Sequence, residues 1–290
     1  LTFNKYIQIN KIRSMNIDYD NSSIPELINY FKKEEISLSN VINKNIIDVE
    51  NLINDCTKRI INQNNIFLLG AGTSGRLAVI EAAELLPTYG DSTFKGIIAG
   101  GLEAMENSVE KSEDSLTESI KILNMNNIHN DDLVIGISSS GTTPYTISAL
   151  NYCKSKKIQS CLISNTTKSK YDININLGVK TEKILDSTRM LSGTLTKQLL
   201  NLITTISMIK SGKTYKNFMI SVKPLNNKLI NRSIEIIGEI TNLNTKKSEE
   251  LFYKSGKNIK IAIVSYLKNM SFSESQALLD KNKGFLSRII

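Results

Sequence analysis

"LLGAGTSGRLAVIEAAELL", Leu68 to Leu86, sets Gly70, Gly72 and Gly75 in a G-x-G-x-x-G spacing between an apolar run and a helical pattern. A strand that ends in a glycine turn and feeds a helix opens a βαβ unit. The texture recurs downstream. "NIFLLG" (65–70), "FKGIIAG" (94–100), "DLVIGIS" (132–138) and "QSCLIS" (159–164) are short apolar runs ending in Gly or Ser. Helical stretches Gly75–Leu86, Ser115–Leu123 and Pro144–Lys154 separate them. Strand, loop and helix at this spacing predict an α/β fold with a parallel sheet. "INL" at 175–177 offers a fifth strand. A long helix follows over 190–210, with Leu195, Leu199, Leu202, Ile206 and Ile209 at helical spacing.

Ahead of the glycine loop, an opening polar segment is expected to wrap another surface or subunit. "SSIPELINYFKKEE" puts Ser before Pro25, a helix start. Val41, Ile42, Ile46, Val49, Leu52, Ile53 and Ile60 share one stripe and predict a single helix from Ser37 to Asn62. Beyond residue 225 the strand signals stop and short helices take over. There Ser271 with Glu274 forms a capping-box pattern, and Leu251, Ile259, Ile263, Leu278 and Leu279 supply a small core. The expected division is an N-terminal segment and helix (1–36), an α/β domain (37–220) and a small helical domain (221–290).

The chain has 290 residues, 40% hydrophobic and 22% charged, enough to bury a sizeable core. Its net charge of +8 comes from lysines scattered among Asn and Ile, with aromatics at 6%. A nucleic-acid footprint is clustered, so the excess reads as solvated lysines with mild attraction for anionic substrates. Cys56, Cys153 and Cys161 show no C-x-x-C spacing and read as small core residues of a reduced compartment. His129, the single histidine, lies in the polar stretch "NNIHNDD", which leaves no material for histidine triads or zinc-type sites. The charged opening does not read as a signal peptide, and no apolar run approaches the roughly twenty residues of a membrane helix. A cytoplasmic protein with no membrane contact is expected.

A dinucleotide site needs an acidic residue at the end of the second strand to bind ribose hydroxyls. Gly100 and Gly101 hold that place, and Glu103 falls in the next turn. The third strand offers a different ligand. It ends in Ser138, Ser139, Ser140, Gly141, Thr142 and Thr143, just before a helix starting near Pro144. Hydroxyls and unpaired amides at a helix N-terminus make an anion site. Without G-K-[ST] it is no Walker loop, and it fits one phosphate monoester. An ordinary N-cap would need only one hydroxyl. Two small-residue loops thus face the crevice where open α/β sheets bind ligands.

The blocks "GAGTSGRLAVIEAAELLPTYG", "GIIAGG", "VEKSED", "GISSSGTTPY", "DSTRMLSGTLTKQLLN" and "MIKSGKTYKNFMISV" occur in that order. Together they resemble the N-acetylmuramic acid 6-phosphate etherases of the sugar isomerase (SIS) superfamily, over nearly the whole chain. Departures lie at the pocket rim. The family's Asp-Ala-Ser-Glu-Cys-Pro-Pro is "EAAELLP" (81–87), so Leu85 and Leu86 are altered positions. Thr142 stands where an arginine is common, and "SNTT" (164–167) replaces Ser-Cys-Asn-Pro, with Asn165 in the cysteine position. Asp186 and Leu191 replace the usual Gly and Lys.

The resemblance implies a SIS-type αβα sheet and a homodimer with active sites near the subunit contact. It implies cleavage of a D-lactyl ether by elimination and hydration on an open-chain sugar phosphate, with no metal and no cofactor. It assigns Glu84 to protonating the departing lactate and activating water, and Glu113 to the base at the second carbon. An acid working near neutral pH needs a raised pKa, and Ala82, Ala83, Leu85 and Leu86 suggest that Glu84 is buried. Ser74, Ser140 and Thr143 are expected at the phosphate, with backbone help from Gly141. Ser187 and Thr188 are expected to shape the pocket. Lys197 matches a family lysine whose role stays open, and Arg76 suits an acidic neighbour as well as substrate. An aldose–ketose isomerase and a non-catalytic sugar-phosphate sensor share the fold and remain alternatives.

Overall fold

The computed structural model describes residues 17–33, 36–166, 170–184 and 187–290. Most of the polar segment expected to wrap a neighbouring surface lies outside them, as do Thr167 and Asp186. Five strands form one parallel sheet: β1 (Ile66–Gly70), β2 (Phe94–Ile98), β3 (Leu133–Ile137), β4 (Gln159–Ser164) and β5 (Ile173–Asn176). Their order is β2-β1-β3-β4-β5. Every residue of β1 and β3 is buried, because helices cover both faces. That is why these strands read as continuous apolar runs without alternation, whereas the edge strand β5 alternates.

The helices are α1 (Ile24–Lys32), α2 (Leu38–Lys44), α3 (Ile46–Asn62), α4 (Gly72–Tyr89), α5 (Glu103–Glu106), α6 (Glu118–Met125), α7 (Pro144–Ser155) and α8 (Leu191–Lys210). Leu52, Cys56, Ala78, Leu195 and Leu199 pack with Ile66, Leu68 and Ile135 on one face of the sheet. Leu123, Ala149 and Cys153 pack with Phe67, Leu69 and Val134 on the other. Burial pushes the thiols of Cys56, Cys153 and Cys161 up, so they behave as core groups.

The single helix expected over 37–62 is two. Asn45 breaks it: its Nδ2 donates to Val41 O (2.7 Å) and Asn176 O (2.9 Å), and its Oδ1 accepts from Asn176 N (3.0 Å). A side chain that pairs with the edge of β5 satisfies the helix end and the sheet edge together. Ile46, expected in the stripe, is 53% exposed as a result. Helix α4 starts at Gly72, three residues before the expected Gly75. A Cβ on Gly75 would lie 2.5 Å from Gly70 O and 2.6 Å from Ile98 Cγ1, so only glycine lets strand and helix approach this closely.

After α8 come an unforeseen two-residue hairpin, β6 (Thr214–Tyr215) with β7 (Phe218–Met219), and four helices. These are α9 (Asn227–Thr241), α10 (Thr245–Lys254), α11 (Ile259–Lys268) and α12 (Phe272–Lys281). Asn226, Asn244 and Asn258 cap the first three through their side chains, and Ser271 with Glu274 closes the expected capping box. Ile259, Ile263 and Leu279 are buried in this second core; Leu251 and Leu278 pack partly exposed against it.

Candidate active site

β1 and β3 are neighbours whose last residues, Gly70 and Ile137, are register partners. The chain leaves them in opposite directions, toward β2 and toward β4, so their following loops diverge and open a crevice. Both small-residue loops flank it.

The hydroxyl loop is organised by Ser138, which is buried. Its Oγ lies 2.9 Å from Thr143 Oγ1 and accepts from Gly141 N (3.1 Å) and Thr143 N (3.4 Å). Ser140 Oγ accepts from Thr142 N (3.2 Å) and Thr142 Oγ1 (3.0 Å). Three consecutive amides therefore converge on hydroxyl oxygens at the N-terminus of α7, where Pro144 suits the first turn. Phosphate oxygens are stronger acceptors for the same donors. Gly141 holds φ +70°, and a Cβ there would come 2.5 Å from Thr166 Cγ2, so this bend needs glycine. Ser138 is the hub that the sequence reading placed in the loop without giving it a role.

Ser139 and Ser140 line a cleft of about 790 Å³ together with Asn165, Val179 and Lys180. A smaller cavity, about 170 Å³, lies beside the glycine loop and is lined by Gly72, Arg76, Ala99, Ser112 and Glu113. Glu113 is exposed and sits on the short 3-10 turn Ser112–Asp114. Arg76, in the lining of that cavity, donates to Met105 O (3.2 Å) and Asn107 O (2.9 Å), and among the described residues it forms no ion pair. The Gly100 amide donates to Glu118 Oε1 (3.2 Å), and Glu103 begins α5 rather than ending β2. The carboxylate met at the end of β2 thus comes from α6 and is engaged by the Gly100 amide.

Ser74 lies half-buried in the first turn of α4. Thr188 O accepts from Gly193 N (3.1 Å), and Ser187 O accepts from Met190 N (3.3 Å). A Cβ on Gly193 would be 3.4 Å from Thr73 Cγ2 and 3.6 Å from Thr188 O. The Ser187–Thr188 turn therefore lies against the glycine loop.

Glu84 corrects one expectation. It is exposed, as are Ala83, Leu86 and Pro87, and the buried face of α4 is Gly75, Ala78, Glu81, Leu85 and Tyr89. The carboxylate turned inward is Glu81. Its Oε2 accepts from Lys197 Nζ (2.9 Å) and its Oε1 from Thr204 Oγ1 (2.6 Å), tying α4 to α8. Lys197 also donates to Asn201 Oδ1. Glu113 lines the smaller cavity, and Glu84 is not part of that lining. Among the described residues there is no cluster of His, Cys, Asp and Glu able to hold a metal.

Sequence reasoning missed Glu81 and Glu182. Helical phase points to the first, since Glu81 repeats the inward step of Gly75 and Ala78. Nothing local marks the second.

A parallel sheet with a hydroxyl-rich loop at its crevice agrees with a SIS-type domain. Residues 114–195 match the SIS domain model, and residues 48–154 match that of the glucokinase regulatory protein N-terminal SIS domain. A phosphoheptose isomerase structure from Francisella tularensis is similar at 12% identity and TM-score 0.48, covering 65% of this chain and 98% of its own. The N-acetylmuramic acid 6-phosphate etherase of Mycoplasma mycoides subsp. mycoides SC is 37% identical over 98% of this chain and 96% of its own length. That of Petrotoga mobilis is 37% identical over 91% of each. The chain belongs to the N-acetylmuramic acid 6-phosphate etherase family.

Proposed function

We propose that the protein is a carbon–oxygen lyase that cleaves the D-lactyl ether of N-acetylmuramic acid 6-phosphate, in recycling of cell-wall amino sugars. The products are N-acetylglucosamine 6-phosphate and D-lactate. The observation that carries this reading to the site is the Ser138-centred loop, whose three amides converge where one phosphate monoester fits. Ser140, Thr143 and the Gly141 amide grip the phosphate, with Ser74 from the facing loop. Ser187 and Thr188 close over the sugar.

On the open-chain sugar, Glu113 takes the proton from the carbon beside the aldehyde. The ether C–O bond breaks, and Glu84 protonates the departing lactate oxygen. Glu84 then takes a proton from water as it adds to the resulting double bond, and Glu113 returns a proton to the neighbouring carbon. The scheme is proton transfer between two carboxyl groups and calls for no cofactor.

Glu84 needs a dry surround to hold a proton near neutral pH. Ile80, 42% exposed, lies one turn before Glu84 on the same outer side of α4. A second copy of the chain covering that side would supply the surround, which supports a homodimer. Three buried, unpaired cysteines support a cytoplasmic setting. The proposed division remains 1–36, 37–220 and 221–290, the middle unit carrying the site. Incubation with N-acetylmuramic acid 6-phosphate should release D-lactate. Folded protein that releases no lactate but converts an aldose phosphate with a free 2-hydroxyl into its ketose is an isomerase instead, and one that binds sugar phosphate without turnover is a sensor.

A further inference from the structure

A carboxylate and an amide outside the proposed chemistry join two loops of this site. Glu182 is 5% exposed. Its Oε2 accepts from Leu191 N (2.9 Å), and its Oε1 accepts from Ser192 N (2.8 Å) and Ser192 Oγ (2.5 Å). Those amides belong to the first turn of α8, where no helix carbonyl is available to them and the helix dipole favours an anion. Glu182 precedes the helix in sequence, so its bonds draw the chain back on itself. Ser187 and Thr188 lie just before that turn, where Thr188 O accepts from Gly193 N (3.1 Å).

Ser192 extends the connection. A hydroxyl has one proton, and Ser192 gives it to Glu182, leaving its oxygen to accept from Asn165 Nδ2 (2.9 Å). Asn165 Oδ1 accepts from Val179 N (3.2 Å), and the Asn165 amide donates to Ser139 O (2.9 Å). One unbroken path therefore runs from the buried carboxylate through α8 and the end of β4 to the hydroxyl loop. The same first turn of α8 faces Thr73 of the glycine loop, whose Cγ2 would lie 3.4 Å from a Cβ on Gly193.

We propose that Glu182 and Asn165 are positioning residues that act through Ser192 to fix the spacing between the Ser187–Thr188 loop and the hydroxyl loop. That spacing sets how tightly the phosphate end of the substrate is gripped. The inference rests on the sugar-phosphate reading of the hydroxyl loop. The geometry makes Asn165 specific: an amide offers a donor to Ser192 and an acceptor to Val179 at once. A thiol, the group usual here in the family this chain resembles, is a weak partner for both.

Glu182→Gln keeps the shape but turns an acceptor into a donor facing an amide. Asn165→Ala removes both side-chain bonds from a half-buried site. For each, KM for N-acetylmuramic acid 6-phosphate should rise about tenfold, the loss of one charge-assisted or doubly bonded link, with kcat within about twofold. The dissociation constants of inorganic phosphate and N-acetylglucosamine 6-phosphate, measured by calorimetry, should rise by the same factor. The double variant should fall short of the product of the two, because both act on one path. Unchanged phosphate binding in folded Asn165→Ala, or a lower kcat at constant KM, overturns the proposal. If Glu182→Gln does not fold, the Asn165→Ala binding ratio decides alone. A wild type that binds the sugar phosphate yet releases no lactate refutes the etherase reading, while the binding ratios still test this one.

Discussion

Lys197→Met should destabilise the protein by about 3 kcal/mol at neutral pH. Glu81 is 4% exposed and has two partners, the Lys197 ammonium at 2.9 Å and the Thr204 hydroxyl at 2.6 Å. Methionine keeps most of the apolar stem of lysine and removes the charge. The carboxylate is then buried with one neutral donor. Breaking a buried pair from one side costs about 3–5 kcal/mol, and the lower end applies because the Lys197 side chain is 33% exposed and water can reach the gap. At an unfolding entropy of about 2.1 cal/mol/K per residue over 290 residues, the melting temperature should fall by about 5 °C.

Two controls isolate the cause. Glu81→Gln in the Lys197→Met background removes the stranded charge and keeps an oxygen for Thr204, so most of the loss should return. In the single variant the lone carboxylate favours its proton, which raises its folded-state pKa above the unfolded value. Stability is then lost as pH rises through the folded pKa, and the deficit against wild type should be smaller near pH 5 than near pH 8. Thermal unfolding of the three proteins, wild type, single and double variant, measures all of this. A double variant no more stable than Lys197→Met would refute the argument that an unpaired buried charge sets the cost.

Lys260 gives a second pH dependence, of the opposite sense. Its Nζ donates to Gly212 O (2.9 Å) and Gly284 O (2.8 Å), and burial, aided by the Lys213 ammonium, lowers its pKa from 10.5 to about 8. Between those values the unfolded chain holds a proton that the folded chain lacks, so stability rises with pH across the window. Urea titrations should show wild type gaining about 2 kcal/mol on Lys260→Met from about pH 7.5 to about pH 10; a constant difference contradicts the assignment. Glu84→Gln should abolish lactate release while exchange of the proton beside the aldehyde in deuterated water persists; loss of both contradicts the division of roles. Thr143→Val should raise KM more than it lowers kcat, because Thr143 holds phosphate alone; an unchanged KM removes it from the site.

The sheet was legible because its central strands are buried on both faces and so stand out as unbroken apolar runs, "IFLLG" and "LVIGI" among them. The hairpin at 214–219 was not, since two-residue strands have no period to detect. The break at Asn45 was hidden for another reason: its cause, the edge of β5, lies far along the chain. The hydroxyl loop could be read because its residues are consecutive. Glu84 was expected inside because its sequence neighbours are apolar, but successive helical residues point about 100° apart. Its neighbours in space are set by helix phase, which turns Glu81 and Leu85 inward and leaves Glu84 out.

That phase separates two tasks that one carboxylate cannot perform. Both oxygens of Glu81 are occupied, as are both oxygens of Glu182. A carboxylate held this way is fixed and has no oxygen free for substrate, which suits a brace and not a group that must pass a proton to substrate. Glu84 is the reverse. Among the described residues it enters a hydrogen bond through its backbone carbonyl, which accepts from Thr88 Oγ1 (2.7 Å), and no bond forms to its carboxylate. The Glu84 carboxylate is open to water, while the braces fix α4 and α8 from within.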